Sequence, residues 1–172
     1  MANEILFQSR LYYIEKTWQT GRSGQQLERH VIVHPGAVGV LPILDDGRVV
    51  LLKQYRVAVD SYLIELPAGT LEPNEEPIVS ARRELIEETG YSAGKIEPLV
   101  TFYTSPGILR EQLHLFVATE LTPGETALED GEDIELFIST WAEIREMIAR
   151  GEILDAKTLL GLQHYMLSHD CR

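Results

Sequence analysis

The sequence predicts an α+β fold, a mixed sheet sandwiched by helices, with an N-terminal β-hairpin extension ahead of it. Three observations predict it. Strand-like segments, rich in β-branched and aromatic residues and bounded by Gly, Pro and Asp turns, run up to Leu66 and resume at Glu97. One helix-period segment interrupts them, and two more close the chain. No internal repeat, low-complexity tract or linker divides the whole, and 172 residues suit one well-buried domain.

Taken in order, Leu11 to Trp18 reads as a strand, Gly21-Arg22-Ser23-Gly24 as a turn, and Glu28 to His34 as the returning strand. A lone hairpin is marginal in water, so residues 1–36 are expected to pack on the main domain, residues 37–172, or on a second subunit. Beyond Pro35-Gly36, strands Ala37–Leu44 and Arg48–Tyr55 flank Asp45-Asp46-Gly47, whose Asp-Gly pair signals a hairpin. Tyr62 to Leu66 is a short strand ended by Pro67-Ala68-Gly69. The period then changes. Ile78, Ala81 and Leu85, at i, i+3 and i+7, place an apolar stripe on a helix with Pro77 at its first position and Gly90 just past its end. Strands resume at Glu97–Thr104, Gln112–Leu121 and Ile134–Ser139. Thr140 with Glu143 forms a capping-box pattern ahead of Trp141, Ile144 and Ile148, and Lys157–Ser168 carries Leu159, Leu162 and Met166 on one side.

Composition narrows the function classes. The formal charge of −12 repels phosphate polymers and argues against a nucleic-acid or anionic-membrane binder. It also sets a puzzle for any phosphate-ester substrate, which a bound cation resolves, because the ion becomes the largest local charge. The single cysteine, Cys171, forms no intramolecular disulfide and suits a reducing compartment. Met1 to Arg10 lacks the pattern of a secretory signal, and no apolar run approaches the roughly 20 residues that span a bilayer. A soluble, cytoplasmic protein is expected.

The stretch from Gly69 to Tyr91 carries the chemistry. Glu84, Glu87 and Glu88 stand at i, i+3 and i+4, so a helix sets them on one face, with Ile78, Ala81 and Leu85 expected on the opposite side as the packing surface. Like charges so spaced cost an isolated helix roughly 0.2–0.5 kcal/mol per pair. A hard divalent cation such as Mg²⁺ offsets this by taking oxygen ligands between carboxylates and substrate phosphates. A Glu-rich helix is also a common solvated face, so the wider spacing decides. Gly69, five residues, Glu75, seven residues, Arg83-Glu84-Leu85, one residue, Glu87-Glu88, one residue and Gly90 resembles the Nudix box at its fixed polar and glycine positions. With roughly 6–7% usage per residue type, seven such matches arise by chance on the order of once in 10⁸ positions. Tyr91 departs from the usual aliphatic residue but can fill the same apolar slot.

This resemblance implies an α/β/α sandwich and hydrolysis of nucleoside diphosphates linked to another group. It implies that Glu84, Glu87 and Glu88 ligate metal, with the carbonyl of Ala68 as a further ligand. Arg83 would orient a neighbouring carboxylate and Glu75 would brace the loop. Gly69 fits a loop entry that needs close backbone approach or positive φ. Two or more Mg²⁺ ions are expected, with Mn²⁺ as the alternative.

Three features resemble the ADP-ribose pyrophosphatases within that family. Ser105-Pro106-Gly107 is followed by Glu111, and Pro106 keeps that group's offset of sixteen residues beyond Gly90, although Ser-Pro-Gly is also an ordinary turn and Ile108-Leu109-Arg110 finds no match. Arg56 ends the strand Leu51–Arg56, where the resemblance gives an arginine that reaches phosphate or the terminal ribose, a task suited to its fork. Glu129-Asp130-Gly131-Glu132-Asp133 reads by itself as a solvated acidic loop. In the resembling enzymes such a loop brings a carboxylate over the metals, so Glu132, or Asp130 after it, becomes the base and Glu132 a further ligand. The N-terminal hairpin and His34-Pro35-Gly36-Ala37-Val38 also resemble this group, whose members exchange N-terminal strands in a homodimer.

The resemblance therefore implies hydrolysis of ADP-ribose to AMP and ribose 5-phosphate. Another nucleotide sugar such as GDP-mannose, and a non-catalytic nucleotide-binding module, remain as alternatives. No His-Glu-x-x-His, Gly-x-x-x-x-Gly-Lys or Gly-x-Ser-x-Gly pattern supports a zinc protease, a P-loop enzyme or a serine hydrolase.

Overall fold

The computed structural model describes residues 2–128, 131–169 and 171. In chain order the strands are β1 (Glu4–Gln8), β2 (Tyr13–Thr20), β3 (Gln26–Val33), β4 (Ala37–Pro42), β5 (Val49–Arg56), β6 (Ser61–Glu65) and β7 (Ala68–Thr70). Helix α1 (Pro77–Thr89) follows, then β8 (Ser92–Tyr103), β9 (Leu109–Arg110), β10 (Gln112–Thr122) and β11 (Ile134–Ser139), and finally α2 (Trp141–Ala149) and α3 (Ala156–Ser168). They form three sheets, ordered β1-β2-β3-β9, β7-β4-β10-β8 and β11-β5-β6.

Period-two alternation in the central sheet creates the layers. Val38 and Val40 of β4 and Phe116 and Ala118 of β10 pack with Ala81 and Leu85 of α1. Residues of opposite parity, Leu41, Leu113 and Leu115, pack with Ile144 of α2, Leu162 of α3 and Leu51 of β5. A strand buried on both faces must serve two cores at once. The β4–β10 pair is parallel and the β10–β8 pair antiparallel, which makes this sheet mixed.

The Asp45-Asp46-Gly47 reversal forms, with Leu44 and Arg48 joined by a 2.8 Å backbone bond, but it does not make a hairpin. A single bridge, Ile43 to Val49, precedes the divergence of β4 and β5 into different sheets. Their uninterrupted apolar runs explain this. Val49, Val50, Leu51 and Leu52 are all 0% exposed, and a two-stranded ribbon cannot cover both faces of such strands.

In α1 the expected stripe is corrected in the same way. Ile78 is 39% exposed, while Ala81, Glu84, Leu85 and Glu88 are buried together. At 3.6 residues per turn, Glu88 and Glu84 lie only about 20° and 60° around the helix from Ala81. They are therefore beside the packing stripe, not across from it. Gly90 ends the helix at φ 73°, and a Cβ there would also approach the Gly124 carbonyl to 2.7 Å, so both backbone and space demand glycine. Tyr91 packs at the edge of the same core.

The terminal helices follow the sequence closely. Thr140 and Glu143 make the reciprocal capping box of α2, and Asp155 caps α3. Strands β1 to β3 form an antiparallel ribbon, tied to the rest where β3 runs parallel to β9 through Ile32–Leu109 and Val33–Arg110. Arg110 also reaches the buried Glu15 of β2 at 2.5 Å. Among the described residues, no helix is long and apolar enough to cross a membrane.

Candidate active site: a carboxylate cleft beside α1

One cleft of about 840 Å³ gathers Arg56, Ala68, Gly69, Arg83, Glu84, Glu87, Glu88 and Glu132. Residues of the N-terminal ribbon, among them Arg10, Tyr12 and His34, line it as well. A volume of this order falls within the roughly 300–1,000 Å³ typical of ligand pockets.

Local structure sets each carboxylate. Glu88 is 2% exposed and accepts a 2.7 Å hydrogen bond from the Ala68 amide. Glu84 lies against Gly69, where a Cβ would come within 1.9 Å of its carboxylate carbon. Close approach, with no positive φ, is what excludes a side chain at this position. Arg83 is the organising cation. It donates to Glu75 through Nε and Nη2, both at 3.1 Å, and through Nη1 to Glu84 at 2.7 Å and Glu87 at 2.9 Å. Glu75 in turn accepts from the Glu72 amide at 3.1 Å, which closes the loop onto the helix.

Burial and crowding disfavour charge here. Burial pushes Glu88 up to about 8, with the neighbouring Glu84 and Glu132 charges adding to it and the Ala68 amide opposing. Burial likewise raises Glu84 against the pull of Arg83. Glu75 shifts the other way, held below the usual carboxylate range by its hydrogen bonds from Arg83. Two buried carboxylates held near protonation are a donor set that a divalent cation would complete. Among the described residues, no three His, Cys, Asp or Glu side chains yet converge as a closed set. Arg83 and the Ala68 amide hold these oxygens instead. The donors are hard oxygens at one cleft, which fits Mg²⁺ or Mn²⁺ and not a thiophilic metal.

Other sequence-selected residues lie elsewhere. Pro106 and Gly107 border a separate hollow of about 240 Å³ with Val31 and Tyr103. Ser105 closes this turn by accepting from the Ile108 and Leu109 amides at 3.1 and 2.8 Å. Glu111 binds Thr104 Oγ1 at 2.5 Å and approaches Nδ1 of the cleft residue His34 at 3.1 Å, so it meets the cleft at one remove. Asp130 lies outside the described residues. Sequence reasoning missed Glu65, a charged residue inside an apolar strand. That mismatch was the available sign, since an acid is almost never fully buried unless paired.

The NUDIX domain model matches residues 33–161, and the chain belongs to that family. An ADP-ribose pyrophosphatase of Bacillus subtilis (strain 168) is 40% identical over 147 residues, 84% of this chain and 80% of the relative. A GDP-mannose pyrophosphatase of Escherichia coli O1:K1 / APEC is 42% identical over 163 residues, covering 87% and 84%. A methanol dehydrogenase activator of Bacillus methanolicus is 37% identical over 169 residues, covering 97% and 91%. A crystal structure described as an ADP compounds hydrolase superposes with a TM-score of 0.85 at 23% identity, over 97% of this chain and 91% of that one. At that identity the likeness speaks for the fold.

Proposed function

We propose that this chain hydrolyses the pyrophosphate bond of a nucleoside diphosphate sugar, with ADP-ribose, giving AMP and ribose 5-phosphate, as the first substrate. One observation carries the reading: Glu84, Glu87, Glu88, Glu132 and Arg83 share a single cleft of ligand size with the Arg56 cation. The names of two relatives, an ADP-ribose and a GDP-mannose pyrophosphatase, support the substrate class.

The residues that would hold two or more Mg²⁺ or Mn²⁺ ions are Glu84, Glu87, Glu88 and Glu132, with the carbonyl of Ala68. Bound there, the metal supplies positive charge and Lewis acidity for the diphosphate. The chain's own residues do the rest. Arg83 orients Glu84 and Glu87, and Arg56 offers a guanidinium to the phosphate or terminal ribose. Glu132, or Asp130 beside it, takes the proton of the attacking water. Glu111 takes part through His34, and Pro106-Gly107 shape the turn ahead of it. Phosphoryl transfer asks mainly for this kind of positioning.

The division at residue 36 belongs to the same proposal. Ile5, Leu6, Phe7 and Leu11 of the N-terminal ribbon are each at least 47% exposed, a surface that a second copy would cover in a homodimer. Light scattering that returns one chain's mass would remove this part. A cytoplasmic setting accords with the lone cysteine. Incubation with Mg²⁺ and ADP-ribose is expected to release AMP. A panel including GDP-mannose, compared by kcat/KM, ranks the sugars. No release from any of them, with Mg²⁺ or Mn²⁺, retires the reading.

A further inference from the structure

Glu65, at the end of β6, is 1% exposed, more deeply buried than Glu84 or Glu88. Burying an unpaired carboxylate costs several kcal/mol, so its partners define its purpose. Arg56 grips it with two parallel bonds, from Nε at 2.7 Å and Nη2 at 2.6 Å. Lys157 of α3 contacts the same carboxylate and reaches Asp155 at 3.0 Å. Asp155 caps α3 through the Thr158 amide at 2.9 Å and accepts from Thr158 Oγ1 at 2.6 Å. Thr158 Oγ1 then accepts from the Leu66 amide at 2.8 Å, next to Glu65. The contacts form a closed circuit between the end of β6 and the start of α3.

The free end of this circuit is Arg56, which lines the carboxylate cleft and keeps 38% of its side chain exposed. The fork to Glu65 uses Nε and Nη2 and leaves Nη1 outside it. Two-point attachment fixes the plane of the guanidinium, which a single bond would leave free to turn. Lys157 has a distinct task. A lone Glu–Arg pair is neutral and draws anions weakly, whereas a carboxylate shared with a second cation leaves Arg56 part of its charge.

We infer that Glu65, supported by Lys157 and Asp155, is a positioning residue that holds the Arg56 guanidinium oriented at the wall of the cleft for an anionic substrate. This rests on the cleft being the diphosphate site. A purely structural ion cluster would change stability and leave substrate affinity alone.

The test is steady-state kinetics with Mg²⁺ and ADP-ribose, or the best sugar of the panel, on purified full-length chain. Glu65→Asp keeps the charge and withdraws the carboxylate by one methylene, so it moves the fork without leaving two cations unpartnered. It is expected to raise KM by about tenfold while kcat stays within about threefold, the pattern of lost uniform binding. Arg56→Lys should show the same split, and the double variant should be no worse than the worse single within about twofold, because both remove one interaction. Glu65→Gln, if folded, should match or exceed the Asp variant; if it does not fold, Glu65→Asp decides. A folded Glu65→Asp with unchanged KM, or effects that multiply in the double variant, overturns the inference alone. A wild-type chain inactive on every nucleotide sugar overturns the functional reading and takes this inference with it.

Discussion

The segment from Gly69 to Gly90 and the segment from Ser105 to Glu111 both carry motifs, yet the first binds itself and the second binds distant chain. Arg83 bonds Glu75, Glu84 and Glu87, and Gly69 touches Glu84. Glu88, in the same segment, takes the amide of Ala68 next to Gly69. Arg110 instead reaches Glu15, and Glu111 reaches His34. A motif whose residues are one another's partners has its geometry fixed locally. One whose partners lie up to 95 residues away acquires its role only from the fold. Substitutions in the first segment should therefore strike chemistry directly, and those in the second should act through neighbours.

The largest effect is expected at Glu88. Glu88→Gln keeps shape and burial and one hydrogen-bond acceptor for the Ala68 amide, but removes the charge. A loss in kcat of about 10³-fold is expected, of the order seen when an electrostatic stabiliser is removed. Glu84→Gln should follow closely. Thermal unfolding must remain cooperative in both. Should either variant unfold at ordinary temperature, these carboxylates serve the fold and the comparison between the two segments breaks.

Gly69→Ala probes the same segment through packing. The added methyl would lie where the Glu84 carboxylate now sits. Displacing that carboxylate should cost roughly 10–100-fold in activity, the range for residues that orient a ligand. Stability should fall by about 1–3 kcal/mol from overpacking. Unchanged kcat/KM in a folded Gly69→Ala would show that the Glu84 position is unimportant.

How far the sequence could be read follows the same divide. Helix α1, its Pro77 start, its Gly90 stop and the grouping of Glu84, Glu87 and Glu88 were legible because each depends on contacts within about one or two turns. The capping box at Thr140 was legible for that reason too. The pairing of β4 and β5 was misread because Asp-Gly chemistry specifies a reversal, while burial on both faces decides which strands pair. Ile78 misled because a heptad-like spacing does not reveal where the stripe ends, and Glu84 and Glu88 occupy the flank assigned to it. The short strands β1, β7 and β9 carry too few residues to show a period. Glu65 became interpretable only when β6, β5 and α3 were brought together.

The pH dependence of the metal-free protein isolates the burial of the carboxylates from catalysis. Glu88 is pushed up to about 8 in the folded chain against an ordinary 4.5. Because the folded value is the higher one, the folded state binds the proton more tightly. Its contribution to stability is complete below about 4.5 and is lost as pH rises to about 8. Over that window the loss is on the order of a few kcal/mol. Glu88→Gln removes the titration, so with a chelator present its melting temperature should fall less than wild type between these limits. Mg²⁺ should lift the wild-type value most at the alkaline end, since ligands must shed protons to bind it. Parallel wild-type and variant curves would mean that Glu88 is not the strained group.

The smallest effect is expected in the second segment, at Glu111. Its carboxylate holds Thr104 and His34 and lies outside the cleft lining, so any influence on substrate passes through the His34 ring. Glu111→Gln keeps an oxygen acceptor for Thr104 and removes only the charge facing His34. KM and kcat should each change by less than about threefold, under ~1 kcal/mol in transition-state terms. A tenfold rise in KM with normal stability would show that Glu111 touches substrate itself. The turn at Ser105-Pro106-Gly107 would then approach the cleft in the working enzyme, and the contrast between a self-contained motif and a dispersed one would narrow to a difference in distance.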